Sequence, residues 1–212
     1  MRIERIEKSK HKRERILVYL EDGGLLRITQ NELLRFGLHQ GLDISPDTVV
    51  ELHKCGARSE TRVRAADMVS SRPLSRRELT RRLVRKGAEE EDAAAAAEYL
   101  EQIGALDDAA YAAMLVRHYS ARGCGAARIR DELLRRGVPR EKWDDALAAA
   151  PPAEETLARV IAAKTKGKPL DEKERRRLCD TLVRRGFSWG EVRDALRSAG
   201  ASAENEGDWD AL

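Results

Sequence analysis

"LTRRLVRKG" at residues 79–87, "IRDELLRRG" at 129–137 and "LCDTLVRRG" at 178–186 are three versions of one short element, recurring with a period of about fifty residues. In each copy two apolar residues stand four apart: Leu79 and Leu83, Ile129 and Leu133, Leu178 and Leu182. Positions four apart lie above one another on an α-helix, so each copy spells a helix with a narrow apolar stripe on an arginine-rich cylinder. Two basic residues and a glycine close every copy. Glycine enters the left-handed conformation that ends a helix without a steric cost, and therefore marks the stop.

Ser75 and Glu78 have the spacing of a capping box, and Leu74 and Leu79 that of a hydrophobic staple, so the first copy also has a defined start. A further helical stretch follows each glycine. It is an Ala-rich run to Leu100 and Ile103, then "PREKWDDALAAA" with Trp143 and Leu147, then "SWGEVRDALRSAG" with Val192 and Leu196, where Ser188 and Glu191 repeat the capping pattern. Another stretch precedes each copy: "VRAADMVSS", "DDAAYAAMLVRHYSARG" and "AEETLARVIAAKTKG", with Pro73 and Pro169 in the gaps. Each unit thus reads as three helices, none with a stripe wide enough to be stable alone. The expected fold is mainly α: tandem three-helix repeats at 62–108, 109–150 and 151–199, stacked as an elongated curved array.

Residues 1–61 differ in character and read as an accessory segment. "ILVYL" at 16–20, the turn signal Asp22-Gly23-Gly24 and Leu25 to Ile28 spell a small β-hairpin, which must pack on something to be stable. Thr29 or Asn31 can cap a short helix through Leu34, and Ser45-Pro46 starts another through Leu52. Residues 200–212 read as an acidic flexible tail, with Trp209 as a docking residue or a solvated one.

Composition narrows the function classes. Forty Lys plus Arg against 37 Asp plus Glu leave a net charge of only +3, so bulk charge does not single out nucleic acid and local clustering must carry that question. Cys55, Cys124 and Cys179 are odd in number and outside any CxxC, which points to free thiols and to neither a disulfide framework nor a zinc site. Met1 to Lys12 is charged, without the apolar core of a secretion signal, and no apolar run approaches the roughly 20 residues of a spanning helix. A cytoplasmic protein is expected, with no membrane contact. No phosphate loop, dinucleotide fingerprint, nucleophile elbow or zinc-protease motif is present, so no catalytic residue, cofactor or metal is assigned. His53-Lys54-Cys55 offers two ligands without a second pair, His118 reads as a packed or capping histidine, and Asp107 and Asp108 precede a helix, where Asp serves as a cap.

The candidate binding residues are the basic clusters: Arg76, Arg77, Arg81, Arg82, Arg85 and Lys86; Arg128, Arg130, Arg135 and Arg136; Arg176, Arg177, Arg184 and Arg185, with Arg175 beside them. Guanidinium forks donate paired hydrogen bonds to phosphates and carboxylates, so aligned clusters suit a DNA backbone or an acidic protein groove. The bland alternative is a solvated face paired with Glu78, Glu132, Glu172 and Glu174; recurrence at one place in successive units favours a binding surface. Aromatics are few, and Tyr111, Tyr119, Trp143 and Phe187 fall on apolar stripes or helix joints as core residues.

Three features together, the repeated "L..RRG" helix, "GALDDAAYA" at 104–112 and "LVRRGFSWGEVRDAL" at 182–196, resemble the RecX family of bacterial RecA modulators over about residues 62–199. The resemblance implies tandem three-helix repeats that bind RecA filaments on single-stranded DNA along their helical groove. It further implies inhibition of filament extension, ATP hydrolysis and strand exchange in recombination and repair; a monomer without cofactor is expected. The N-terminal hairpin resembles only the longer members. The alternative expectation is a basic helical module that binds single- or double-stranded DNA independently of RecA. A peptide-binding scaffold of the tetratricopeptide kind fits less well, because its period is about 34 residues.

Overall fold

The computed structural model describes residues 1–10, 15–166, 168 and 170–199. Pro169 and the acidic segment with Trp209 lie outside the described residues. The chain divides into two compact units, Met1–Leu106 and a second that begins at Asp107.

The first unit opens with an antiparallel sheet in the order β1 (Ile3–Lys8), β2 (Arg15–Leu20), β3 (Leu25–Thr29). The predicted hairpin is β2–β3. Ile16, Val18, Leu20, Leu26 and Ile28 alternate onto one face and are buried, and Gly23 turns the chain at φ +85°. Strand β1 is an addition to the expected hairpin. It carries only two apolar residues, Ile3 and Ile6, and an irregularity of register between Ile3 and Arg5 breaks the period-two signal.

Thr29 and Glu32 form a capping box at the start of α1 (Gln30–Arg35), and the buried Glu32 also accepts a hydrogen bond from Ser59 Oγ. Ser45 caps α2 (Pro46–Ser71), with Pro46 in its first turn. The sequence suggested a short helix through Leu52 and a separate one in the first repeat; α2 is one helix of 26 residues that crosses the border drawn at 61/62. Leu52 and Val49 pack in the sheet core, whereas Ala65, Met68 and Val69 pack in the first-repeat core. Between them Gly56 lies directly on the backbone of β3, where a Cβ would collide with the Arg27 carbonyl oxygen. A glycine in a polar stretch resembles a break, but here it permits close approach.

The first repeat is completed by α3 (Arg76–Arg85) and α4 (Glu90–Gln102), with Leu74, Leu79, Leu83 and Leu100 buried against Ala93, Ala96 and Ala97. The second comprises α5 (Asp108–Ala121), α6 (Ala126–Arg135) and α7 (Trp143–Ala148), and the third α8 (Ala153–Thr165), α9 (Glu172–Arg184) and α10 (Trp189–Ser198). Tyr111 and Phe187 are buried and Tyr119 and Trp143 half-buried; the Trp143 indole N–H donates to the Val138 carbonyl at 3.0 Å. The mainly helical class and the small N-terminal sheet agree with the sequence reading.

The three repeated glycines close their helices identically. Gly87, Gly137 and Gly186 have φ of +88°, +72° and +92°. In each copy the next residue reaches back five positions: Ala88 N to Leu83 O at 3.1 Å, Val138 N to Leu133 O at 3.0 Å, and Phe187 N to Leu182 O at 3.3 Å. These are the long bonds of Schellman closures, which satisfy orphan carbonyls at a helix end.

Candidate functional site

The basic clusters lie on α3, α6 and α9 and divide into arginines engaged within the fold and arginines left open. On α3, Arg82 and Arg72 both reach the buried Glu78 carboxylate, and Arg76 pairs with Glu101 at 2.8 Å. Ser75 Oγ accepts from Glu78 N at 3.0 Å, as the capping pattern required. Arg77, Arg81, Arg85 and Lys86 are exposed and have no carboxylate partner among the described residues.

On α6, Arg128 and Arg135 converge on buried Glu132. Burial alone would raise the Glu132 carboxyl. Hydrogen bonds from Arg135 and Tyr119, and the charges of Arg135 and Arg128, outweigh it and hold the group below its ordinary value of 4.5. Arg130 is exposed without a carboxylate partner among the described residues, and Arg136 is half-buried. Counted from the closing glycines, the Glu78–Arg82 pair and the Arg128–Glu132 pair occupy the same two repeat positions with the charges exchanged. In the third repeat these positions hold Arg177 and Thr181. Thr181 turns its hydroxyl to the Arg177 carbonyl at 2.7 Å, and the exposed Arg177 guanidinium has no carboxylate there.

On α9, Arg176 pairs with Glu172 at 2.7 Å, and Arg184 Nε donates to the Asp180 carbonyl at 3.1 Å. Glu174, expected as an arginine partner, returns to Asp171 N at 3.1 Å in a capping box. Arg185 spans the joint between the second and third repeats, its Nη1 lying 3.4 and 3.5 Å from the carbonyls of Arg122 and Gly123. Arg159 of α8 does the same at the end of α5, donating to Ser120 and Ala121 carbonyls at 2.9 and 3.1 Å. Gly125 N donates to Arg185 O at 2.8 Å and Ala127 N to Gly186 O at 3.2 Å, so the third repeat's closing turn caps the amino end of α6. A Cβ on Gly125 would strike the Gly186 carbonyl, and one on Gly186 the Arg128 backbone.

The surface contains one feature that charge counting missed. Val84, Leu134 and Val183, one residue beyond the buried leucine of each copy, are 41%, 53% and 41% exposed. Each precedes the two basic residues and the glycine. An apolar residue off the helix stripe at the same place in all three copies was the available signal.

The remaining candidates are structural or unclustered. Asp107 caps α5, accepting from Ala109 N at 2.8 Å and Ala110 N at 2.9 Å. His118, read as packed or capping, is exposed in the last turn of α5, with its ring edge-on to Tyr119 at 5.1 Å. Cys179 is a buried free thiol whose ionisation is pushed up by burial. Among the described residues no three His, Cys, Asp or Glu side chains cluster to hold a metal ion, and no helix is long and apolar enough to cross a membrane.

Three-helix units, each displaying an apolar residue beside a basic helix end, place the chain among the tandem three-helix-repeat proteins. Residues 107–147 match the model of the second three-helix domain of RecX, and residues 153–196 that of the third. The chain is 38% identical over 143 residues to the regulatory protein RecX of Stenotrophomonas maltophilia (strain R551-3), spanning 66% of this chain and 88% of that protein. It is 37% identical over 136 residues to its counterpart in Xanthomonas axonopodis pv. citri (strain 306), spanning 63% and 84%. It belongs to the RecX family of regulatory proteins. A crystal structure of regulatory protein RecX superposes with a TM-score of 0.70 at 21% identity, covering 91% of this chain and 98% of that one. The structure of RecX from Lactobacillus salivarius gives 0.61 at 17% identity, covering 69% and 98%. At these identities the superpositions speak for the fold.

Proposed function

We propose that this chain regulates RecA recombinase by binding its filaments on single-stranded DNA, as a cytoplasmic monomer that restrains filament extension, ATP hydrolysis and strand exchange. The observation that carries this reading is the threefold recurrence of one surface: an exposed aliphatic residue (Val84, Leu134, Val183) near the glycine-closed end of an arginine-rich helix. A filament is a row of identical subunits, and a chain with one contact motif in triplicate suits such a target. Each contact can be weak, because covalent linkage raises the effective concentration of the next. The apolar residue supplies area removed from water, while the flanking guanidiniums supply orientation and association rate against an acidic groove. Arg77, Arg81, Arg85, Lys86, Arg130 and Arg177 are the basic residues best placed for that role, since each is exposed and without a carboxylate partner among the described residues.

The deciding measurement is RecA ATP turnover on single-stranded DNA during titration with the full chain. Turnover should fall at substoichiometric amounts, and Val84→Asp combined with Arg81→Glu and Arg85→Glu should weaken the inhibition. Unchanged turnover and filament length across the titration would reject the reading.

A further inference from the structure

The N-terminal sheet has a second face that the helices of its unit leave uncovered. Helices α1 and α2 pack on the side of Ile16, Val18, Leu26 and Ile28. The alternate residues form rows on the other side: Arg5, Tyr19 and Leu25; Glu7, Leu17 and Arg27; Arg15 and Thr29. Leu17, Tyr19 and Leu25 are only half-buried and take no part in the core. The Arg5 guanidinium lies over the Tyr19 ring, 4.3 Å from its centroid, and pairs loosely with Glu7 at 3.5 Å.

Along the β3 side these rows run into a cleft of about 440 Å³ between the strands and α2, lined by Arg15, Arg27 and Thr29 and by Glu60, Arg64 and Asp67. That volume is within the range of about 300–1,000 Å³ typical of ligand sites. Glu60 lies between two of the arginines, 2.7 Å from Arg15 and 3.2 Å from Arg64. Arg64 is further fixed by donating to the Lys86 carbonyl at 3.1 Å. Arg27 is exposed and has no carboxylate partner among the described residues. Arg15, Arg64 and the exposed Arg27 against Glu60 and Asp67 leave the residues around the cleft with one more positive than negative charge, the complement of one phosphodiester.

We propose that this face and cleft bind single-stranded nucleic acid, with a base stacked on the Arg5–Tyr19 pair and the adjoining phosphate held at Arg27 in the cleft. The rows of Tyr19 and Arg27 are two residues apart along the strands, a step of about 7 Å, which brings a stacking platform and a cation within reach of one nucleotide. An aromatic ring already carrying a planar guanidinium offers two π surfaces to unpaired bases of any sequence, as in sheet-based single-strand readers. An acidic peptide would use the charge but not the stack. A duplex offers no exposed base faces to the stack. The proposal is independent of filament regulation and is tested without RecA, so its failure does not bear on that reading.

The test is fluorescence anisotropy of a labelled oligothymidylate with the full chain over a series of salt concentrations. Tyr19→Ala and Arg27→Glu should each weaken binding about tenfold or more. Arg27→Glu should also flatten the salt dependence by about 0.7 in log–log slope, or somewhat more, for the lost phosphate contact. Lys142→Glu, at an exposed position given no binding role, should leave affinity within about twofold, on the scale of a remote charge. Arg27 is exposed, so Arg27→Glu remains informative even if Tyr19→Ala disturbs the sheet. Four results would overturn the proposal: no binding by the wild-type chain, an unaltered isotherm for Arg27→Glu, loss of binding on Arg81→Glu with Arg85→Glu but not on Arg27→Glu, or equal displacement by duplex DNA or polyglutamate.

Discussion

At the scale of single residues, engaged and open arginines answer differently to substitution. Arg82 faces the buried Glu78, so Arg82→Glu sets two carboxylates against each other in a site where one is already desolvated. The variant should lose about 1–3 kcal/mol in urea denaturation, whereas Arg81→Glu, at an exposed position, should stay within about 0.5 kcal/mol of the wild type. Equal effects of the two would refute the division. Glu132 gives a pH signature. Its folded-state carboxyl sits below 4.5, so the stabilisation from its arginines is complete above that value and disappears as pH falls through the lower folded value. Glu132→Gln should therefore be less stable at neutral pH and lose less on acidification, as followed by denaturant midpoints at a series of pH values. The clusters and their acidic partners Glu78, Glu132 and Glu172 were legible in the sequence. Which arginine each carboxylate takes was not, because that depends on rotamers and on burial of the carboxylate between helices.

At the scale of elements, local chemistry was the most readable part. The β2–β3 hairpin, the Ser75, Ser188 and Asp107 caps and the three glycine closures all rest on interactions within a few residues. Contacts between distant segments were not readable. Strand β1 is held by pairing to β2 and by Ile3 N donating to Leu42 O at 2.9 Å, neither of which leaves a period in its own sequence. The role of Gly125 likewise comes from a turn some sixty residues further along the chain. Gly125→Ala and Gly186→Ala should each cost at least about 2 kcal/mol, the first by backbone collision and the second by collision plus a left-handed φ. Gly87→Ala meets open space and incurs only the conformational cost of about 1–2 kcal/mol. Thermal melts that rank Gly87→Ala as the most damaging of the three would contradict this account.

At the scale of the whole molecule, the repeat period disclosed three helical units, and the structure gathers the second and third into one body through the Arg185 and Gly186 turn. The core clusters of that body draw only on residues 111–196. A fragment of residues 107–199 should therefore be helical by circular dichroism and melt in one transition; a non-cooperative melt would show that the joint does not unite the repeats. The amino-terminal border was harder to read, because α2 serves two cores. Its 26 residues make a rod of about 39 Å. Deletion mapping inherits a rule from this rod: any endpoint chosen between Pro46 and Ser71 saws through a shared beam and leaves both flanking cores without one wall. A trimmed version that looks tidy by repeat counting, such as one starting at residue 62, would begin with a frayed half-helix, while Asp107, with its own cap already in place, is the natural point to cut.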